Sequence, residues 1–168
     1  MIDRTKAALL ALAVCSLAGC RHHHRHADSA AVTAEVRKDA QGVVAAYNAQ
    51  DAHKAASYDA LDYVGVYHGT ANTIGPAADE AGMKAQMAAA KVDWELGADK
   101  VTVSKAGDLA VFEAPYTFTI NVPNAPTATE RGTWIAIFKR QDDGSMKLWR
   151  SIASDGPPAK PPAPSYAG

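Results

Sequence analysis

The chain is poor in cysteine and in aromatic residues. Its 168 residues include only two cysteines, and phenylalanine, tryptophan and tyrosine together make up 7% of the sequence. Both cysteines, Cys15 and Cys20, lie near the amino terminus. The rest of the chain therefore cannot form a disulfide or a thiolate zinc site, and a folded domain must rely on its apolar core.

Neither sign of charge dominates the composition. The chain has 17 basic and 18 acidic residues and a formal net charge of -1 at pH 7. Proteins that bind nucleic acid usually carry an excess of positive charge, because they neutralise phosphate groups. We therefore expect no nucleic-acid partner.

Residues 1–19 predict a secretion signal peptide. Arg4 and Lys6 precede the apolar run 7–14, and the segment ends on small residues. The apolar run is much shorter than the roughly 20 residues that a membrane-spanning helix needs. A spanning segment is therefore not expected here.

The sequence LAGC at residues 17–20 resembles a bacterial lipobox. This resemblance implies cleavage before Cys20 and attachment of lipid to its sulfur and to the new amino terminus. Each buried methylene of the acyl chains contributes about 0.8 kcal/mol, so such an anchor holds a protein stably at a membrane. Arg21 resembles the residue that follows the lipidated cysteine in outer-membrane lipoproteins. We expect a lipid-anchored protein of the cell envelope, at the outer membrane and facing the periplasm.

Residues 20–29 predict a tether between this anchor and the domain. Four imidazoles lie in it, at His22, His23, His24 and His26. Arg21 and Arg25 interrupt them, and no carboxylate or second thiol completes a closed metal site. We expect no metal here, but a polar, partly cationic tether beside anionic lipid headgroups. At the other end, residues 157–168 are proline-rich and predict a disordered tail.

Residues 30–156 are enough for one apolar core and too few for two. Apolar residues spaced three or four apart predict a first amphipathic helix. These residues are Val32, Val36, Ala40, Val43 and Tyr47. Asp51 is placed to cap a second, short helix. Residues 81–91 predict a third helix, and Gly75-Pro76 before them suit a helix start.

The remaining segments predict strands. Residues 62–69 alternate, and from Trp94 onward the apolar period is two. The longest alternating run spans 110–122 and contains Pro115, which has no N–H and therefore predicts a bulge or an unpaired stretch. Residues 142–145 predict a hairpin turn. The element order predicts an α+β fold in which a cone-shaped, curved antiparallel sheet wraps around three helices.

Three stretches carry a resemblance to a known family: AAYNAQD at 45–51, AGDLAVFEAPYTF at 106–118 and RGTWIAIFKRQDDGSMKLWRSIASD at 131–155. Together they resemble the nuclear transport factor 2-like superfamily, in particular its SnoaL-like and functionally uncharacterised bacterial branches. The likeness rests on apolar positions with Asn48, Asp51 and Gly107-Asp108, not on a catalytic signature. It implies a ketosteroid-isomerase-like cone with a pocket at its open end, and often a dimer through the sheet.

Ketosteroid isomerase, a member of this superfamily, uses a carboxylate base beside a tyrosine and a protonated aspartate. Alignment on Asn48 and Asp51 puts that tyrosine near Val43, the base near residues 66–67, and the second acid near residues 133–134. None of these positions holds the required residue. Isomerase chemistry by that mechanism is therefore not expected.

Other polar groups are candidates for a site in the implied pocket. Tyrosine and histidine there could transfer protons, as in scytalone dehydratase-like relatives. The catalytic candidates are Tyr47, Tyr63 and His68. The candidate pocket residues are Tyr47, Tyr63, Tyr67, Phe112, Tyr116, Phe118 and Trp134. The competing interpretation is that the aromatic residues pack in the core and that His68 lies at the surface.

Three functional hypotheses remain open. The one we favour is a non-catalytic module that binds a small apolar ligand in an aromatic-lined pocket or pairs with a partner. The second is a small dehydratase, isomerase or hydrolase that needs no cofactor. The third is a dimerisation domain, because the strands around Ile135, Ile137 and Trp149 are apolar on both faces. We expect a homodimer, no cofactor and no bound metal.

Overall fold

The computed structural model describes residues 28–156. The predicted signal peptide (1–19), Cys20, most of the predicted tether and the predicted tail (157–168) lie outside the described residues. Within 28–156, none of the helices combines the length and the apolar character that a membrane crossing requires.

Helices and strands follow one another in nearly the predicted order. They are α1 (Ser29–Asn48), α2 (Ala52–Ala56), β1 (Asp59–Val66), β2 (Thr73–Ile74), α3 (Pro76–Ala89), β3 (Lys91–Leu96), β4 (Lys100–Val103), β5 (Leu109–Asn121), β6 (Ala128–Arg140) and β7 (Met146–Asp155). The fold is α+β, with the helices on the concave side of a curved sheet, as predicted.

The strand order of the sheet is β2-β1-β7-β6-β5-β3, and β4 also pairs with β5. The pairs are antiparallel except for β1 with β7, which are parallel. The sheet is thus mixed and not wholly antiparallel as expected. A parallel pair needs a long crossover between its strands, and here α3 and the strands from β3 to β6 supply it.

Helix α1 packs its predicted stripe into the core. All five residues of that stripe are at most 7% exposed, and they belong to one buried cluster with Phe112, Phe138 and Leu148 from the sheet. The Asp28 carboxylate accepts hydrogen bonds from the N–H groups of Ala30 and Ala31 at 3.0 and 3.2 Å, which satisfies free donors of the first turn. Helix α1 and its cap thus include Asp28 and Ser29, which precede the predicted domain start at residue 30.

Asp51 caps α2 as predicted, because its carboxylate accepts the Lys54 N–H at 2.9 Å. Two other boundaries differ from the prediction. Strand β1 lies three residues earlier, so that Tyr67 and His68 follow the strand and do not belong to it. Helix α3 begins at Pro76, whose ring presets the φ of a first helical residue.

Pro115 interrupts pairing on one side of β5 only. Pairing with β6 runs through it without a register shift, so the bulge alternative is wrong. On the other side, β3 pairs up to Tyr116 and β4 only from Glu113, so the unpaired stretch is confirmed. The Pro115 carbonyl accepts the Gly97 N–H at 2.8 Å, and the missing N–H points to this same unpaired side.

Candidate functional site

A cavity of about 630 Å³ lies between the concave face of the sheet and the helices. Its volume is within the range of small-molecule pockets. All three helices and strands β1, β3, β5, β6 and β7 contribute to its wall. Seven aromatic side chains of the described residues line it: Tyr47, Tyr63, Tyr67, Trp94, Tyr116, Phe118 and Trp134.

Trp94 on β3 is at the centre of the aromatic wall. Its ring meets those of Tyr47, Phe118 and Trp134 edge to face, with centroid distances of 5.6, 5.3 and 4.9 Å. The Asn48 side chain holds its backbone, donating to the Trp94 carbonyl at 2.8 Å and accepting the Trp94 N–H at 2.7 Å. Asn48 therefore fixes β3 to the end of α1. The buried Trp94 Nε1 has no hydrogen-bond partner within residues 28–156.

Two carboxyl groups face each other in the wall. Asp59 begins β1 and is 8% exposed, and Asp79 lies in the first turn of α3. Burial, and then the neighbouring Asp79, raise the pKa of Asp59 to about 8. Burial raises the pKa of Asp79 to about 6. The pair therefore retains a proton to higher pH than exposed carboxyl groups do, and a hydrogen bond between the two side chains contributes to the raised pKa of Asp59.

A chain of hydroxyl groups leads away from this pair. The Tyr63 hydroxyl lies 2.7 Å from that of Tyr67, which donates to Ser151 Oγ at 3.4 Å, and Trp134 Nε1 donates to the same oxygen at 2.9 Å. Burial raises the pKa of Tyr67 to about 12 and that of Tyr63 further. Both phenols therefore stay neutral at physiological pH and keep a proton to donate.

Tyr47 joins α1 to α3 across the cavity. Its hydroxyl donates to Gln86 Oε1 at 2.6 Å, and burial raises its pKa to about 12. This bond is one of the few polar links that hold α3 over the cavity.

The mouth of the cavity is polar and exposed. The His68 side chain is 80% exposed, and its Nδ1 lies 3.6 Å from Asp155 Oδ2. The Tyr116 hydroxyl donates to Glu130 Oε1 at 2.5 Å. Burial, followed by this bond, raises the pKa of Tyr116. Acidic groups thus surround the entrance.

Comparison with known proteins rests on structure alone. No protein-family model matches the chain, and no curated protein is significantly similar to it in sequence. An ntf2-like protein with a cystatin-like fold from Novosphingobium aromaticivorans superposes with a TM-score of 0.65 at 20% identity, over 77% of this chain and 85% of that one. A ketosteroid isomerase-like protein from Erwinia carotovora atroseptica has a TM-score of 0.63 at 16% identity, over 74% and 96%. This chain has the nuclear transport factor 2-like fold.

A conserved protein from Planctomyces limnophilus is also similar to the chain, with a TM-score of 0.67 at 14% identity over 76% of this chain and 99% of that one. At these identities the likeness establishes the nuclear transport factor 2-like fold and no activity.

Most candidate pocket residues line the cavity of this nuclear transport factor 2-like cone. Tyr47, Tyr63, Tyr67, Tyr116, Phe118 and Trp134 do so, whereas Phe112 does not. Phe112 is 1% exposed and packs behind Trp134 at a centroid distance of 5.4 Å, so its assignment to the pocket is wrong. The three catalytic candidates do not form one cluster. Tyr63 meets Tyr67, Tyr47 meets Gln86, and His68 lies at the mouth.

Sequence reasoning missed Asp59, Asp79 and Trp94 as site residues of the nuclear transport factor 2-like pocket. Asp79 follows Pro76 by three positions, which is typical of an acid that stabilises a helix amino terminus. Asp59 precedes a predicted strand and had no distinguishing neighbour. Within residues 28–156, no group of three or more histidine, cysteine or acidic side chains is arranged to hold a metal ion.

Proposed function

We propose that this protein binds a small, largely apolar organic molecule in the cavity of its cone. The observation that carries the proposal is an aromatic-lined cavity of about 630 Å³. Two of its wall residues, Asp59 and Trp94, each have a buried polar atom that makes no hydrogen bond within residues 28–156. A buried polar group that makes no hydrogen bond costs about 1–3 kcal/mol. A ligand with an acceptor for Trp94 Nε1 and a donor for Asp59 would recover part of that cost.

The test is native mass spectrometry of the full chain, purified in mild detergent from bacterial membranes. We expect the folded protein to retain a compound of a few hundred daltons. Ala153→Phe would fill the cavity from β7 and abolish the retained mass. Ser154→Phe is the matched control, because Ser154 is the next residue and points to the opposite face of the sheet. Equal retention by both variants would contradict binding in the cavity.

A second candidate function is acid–base catalysis without a cofactor, as in a dehydratase or isomerase. The Asp59–Asp79 pair favours it, because two neighbouring carboxyl groups lose their protons in separate steps, so that one can donate a proton over a pH range in which the other can accept one. Asp79 would accept a proton, and Asp59 with the neutral Tyr63 hydroxyl would donate. Loss of turnover in Asp79→Asn, with retention in His68→Ala, would support this assignment over one based on the exposed histidine.

We further propose that the protein is held in the cell envelope by lipid on Cys20 and functions as a homodimer. The lipobox-like residues 17–20 support the anchor, and partly exposed Ile135 and Ile137 on the outer face of β6 support the dimer. Cys20→Ser should abolish metabolic labelling with palmitate. Labelling that survives this substitution would contradict the anchor.

A further inference from the structure

The charged groups that line the cavity are nearly all acidic. Asp59 and Asp79 lie in the wall, and Glu130 and Asp155 lie with His68 at the mouth. Among the residues that the structure describes, no lysine or arginine lines the cavity. Its electrostatic potential therefore disfavours an anionic ligand and attracts a cationic one.

The remainder of the wall also suits a cation. The faces of aromatic rings carry partial negative charge and attract ammonium groups within about 6 Å, with a gain of roughly 0.5–2 kcal/mol. Seven such rings surround the space, and those of Tyr47, Trp94 and Phe118 contact one another. The same rings provide an apolar surface for the body of a ligand.

Among the described residues, no basic side chain bonds to the buried acid Asp59. Asp59 is 92% buried, and its Oδ2 accepts no hydrogen bond from the described residues. The charge of Lys147 acts on Asp59, but its side chain does not line the cavity. Its Nζ instead donates a hydrogen bond to the Ser57 carbonyl at 2.7 Å. A protonated amine would bring both N–H donors and the positive charge that the Asp59–Asp79 pair lacks.

Other classes of ligand satisfy the wall less well. A carboxylate would add a negative charge beside two acids, and a neutral alcohol would bring one donor but no charge. A ligand that brings both a positive charge and N–H donors should therefore bind more tightly than one that brings only a hydroxyl donor, because charge-assisted hydrogen bonds are stronger away from bulk water.

We propose that the cavity selects a small organic amine in its protonated form. Its ammonium group would lie at the Asp59–Asp79 pair, and its apolar body would pack against Trp94 and Phe118. This inference rests on the proposed small-molecule function and names the chemical class of the ligand.

The test compares three compounds with one body and different head groups: 2-phenylethylamine, 2-phenylethanol and 3-phenylpropionate. Their affinities for the full chain in mild detergent at pH 7 are measured by isothermal titration calorimetry. We expect the amine to bind at least about tenfold more tightly than the alcohol and the carboxylate to bind most weakly. Asp79→Asn should lower the amine affinity about tenfold and change the alcohol affinity less than twofold, because it removes the carboxyl group of the pair that ionises at lower pH.

Two further variants make this result interpretable. Asp59→Asn tests the same pair from β1 and replaces Asp79→Asn if that variant does not fold. Asp62→Asn is the charge-matched control, because this residue lies in the same strand with its carboxylate exposed on the outside, bonded to Lys139. It should leave the preference for the amine unchanged.

Each adverse outcome has a separate meaning. The amine proposal is wrong if the alcohol or the carboxylate binds as tightly as the amine, or if neither pair variant weakens amine binding; small-molecule binding would then still stand. If none of the three compounds binds, the amine proposal is also wrong. Binding of the neutral dye Nile red then tests whether the cavity binds a small molecule at all. Binding of Nile red to wild type but not to Ala153→Phe retains the proposed function, whereas no binding to either contradicts it as well.

Discussion

Asp59 is the residue whose protonation most directly links the cavity to stability. Its pKa is about 8 in the folded protein, against roughly 4 for an unfolded aspartate. Between these values the folded state holds a proton that the unfolded state has released. The free energy of unfolding should therefore decrease as pH rises from about 4 to about 8.

Asp59→Asn should reduce this pH dependence, and the part that remains comes from Asp79, whose pKa burial also raises. Relative to the variant, wild type should lose stability as pH rises from 5 to 8, by at most about 1.4 kcal/mol per pH unit for one titrating group. The neighbouring Asp79 and Lys147 modify the slope, because both act on the charge of Asp59. Urea unfolding at each pH measures the difference between the two proteins. A difference that stays constant with pH would contradict a buried, protonated Asp59.

Residue-level prediction from the sequence succeeded where the signal was local. The spacing of Val36 and Tyr47 is enough to place both on the inner side of α1, and they are buried. Asp59 has no such signal, because its environment depends on Asp79, which is 20 positions away and on another element. A buried acid and a solvated acid look alike in the sequence until the fold brings their neighbours together.

Helix α3 is the least anchored helix around the cavity. None of its 14 residues is buried, although Met83 and Met87 pack partly against the core. Its amino terminus follows Gly75, which has a φ of 80° and provides no side-chain cap. The bond from Tyr47 to Gln86 is therefore one of the contacts on which its position depends.

We expect the amide hydrogens of α3 to exchange faster than those of α1 by at least about tenfold, because few buried contacts oppose local opening. Gln86→Ala should increase exchange in α3 further, since it removes the acceptor for Tyr47. Gln41→Ala, an exposed substitution on α1, is the control and should leave α3 unchanged. Hydrogen-exchange mass spectrometry measures both. Equal protection of α1 and α3 would refute this view of the helix.

The same weak packing explains why the apolar pattern placed the third helix at 81–91, although Gly75-Pro76 already suited a helix start at the observed position. A helix with no buried face needs few apolar residues, so the helical spacing of apolar residues in α3 is recognisable only around Met83 and Met87. The long strands were easier to predict, because each alternates over many residues against the core. Parallel pairing of β1 with β7 joins segments almost ninety residues apart in the chain, and no local pattern indicates it.

At the scale of the whole molecule, the outer face of the sheet is the surface on which a second copy would pack. Ile135 and Ile137 on β6 are partly exposed there, beside Val111 on β5. Trp149 is covered by the chain itself, with Lys139 Nζ at 4.9 Å and the Arg150 guanidinium at 3.9 Å from its ring centre. The apolar centre of the expected interface is therefore the pair of isoleucines.

We expect the full chain to sediment as a dimer in mild detergent at micromolar concentration. Ile137→Asp should convert it to a monomer, because each copy would bury an unpaired carboxylate at the interface. Gln41→Asp introduces the same charge at an exposed position of α1, on the opposite side of the sheet, and should leave the dimer intact. Analytical ultracentrifugation of all three proteins measures the mass. A monomeric wild type, or a dimeric Ile137→Asp, would contradict this interface.

The edge contact between Trp94 and Trp134 has an optical consequence. Two indoles with centres 4.9 Å apart and planes inclined at 69° are close enough for their excited states to interact. Their circular dichroism should contain a pair of bands of opposite sign that does not come from the backbone. Trp94 and Trp134 line the cavity, whereas Trp149 does not. A molecule that enters the cavity should therefore change the near-ultraviolet absorption of the Trp94–Trp134 pair, and the unchanged absorption of Trp149 serves as an internal reference.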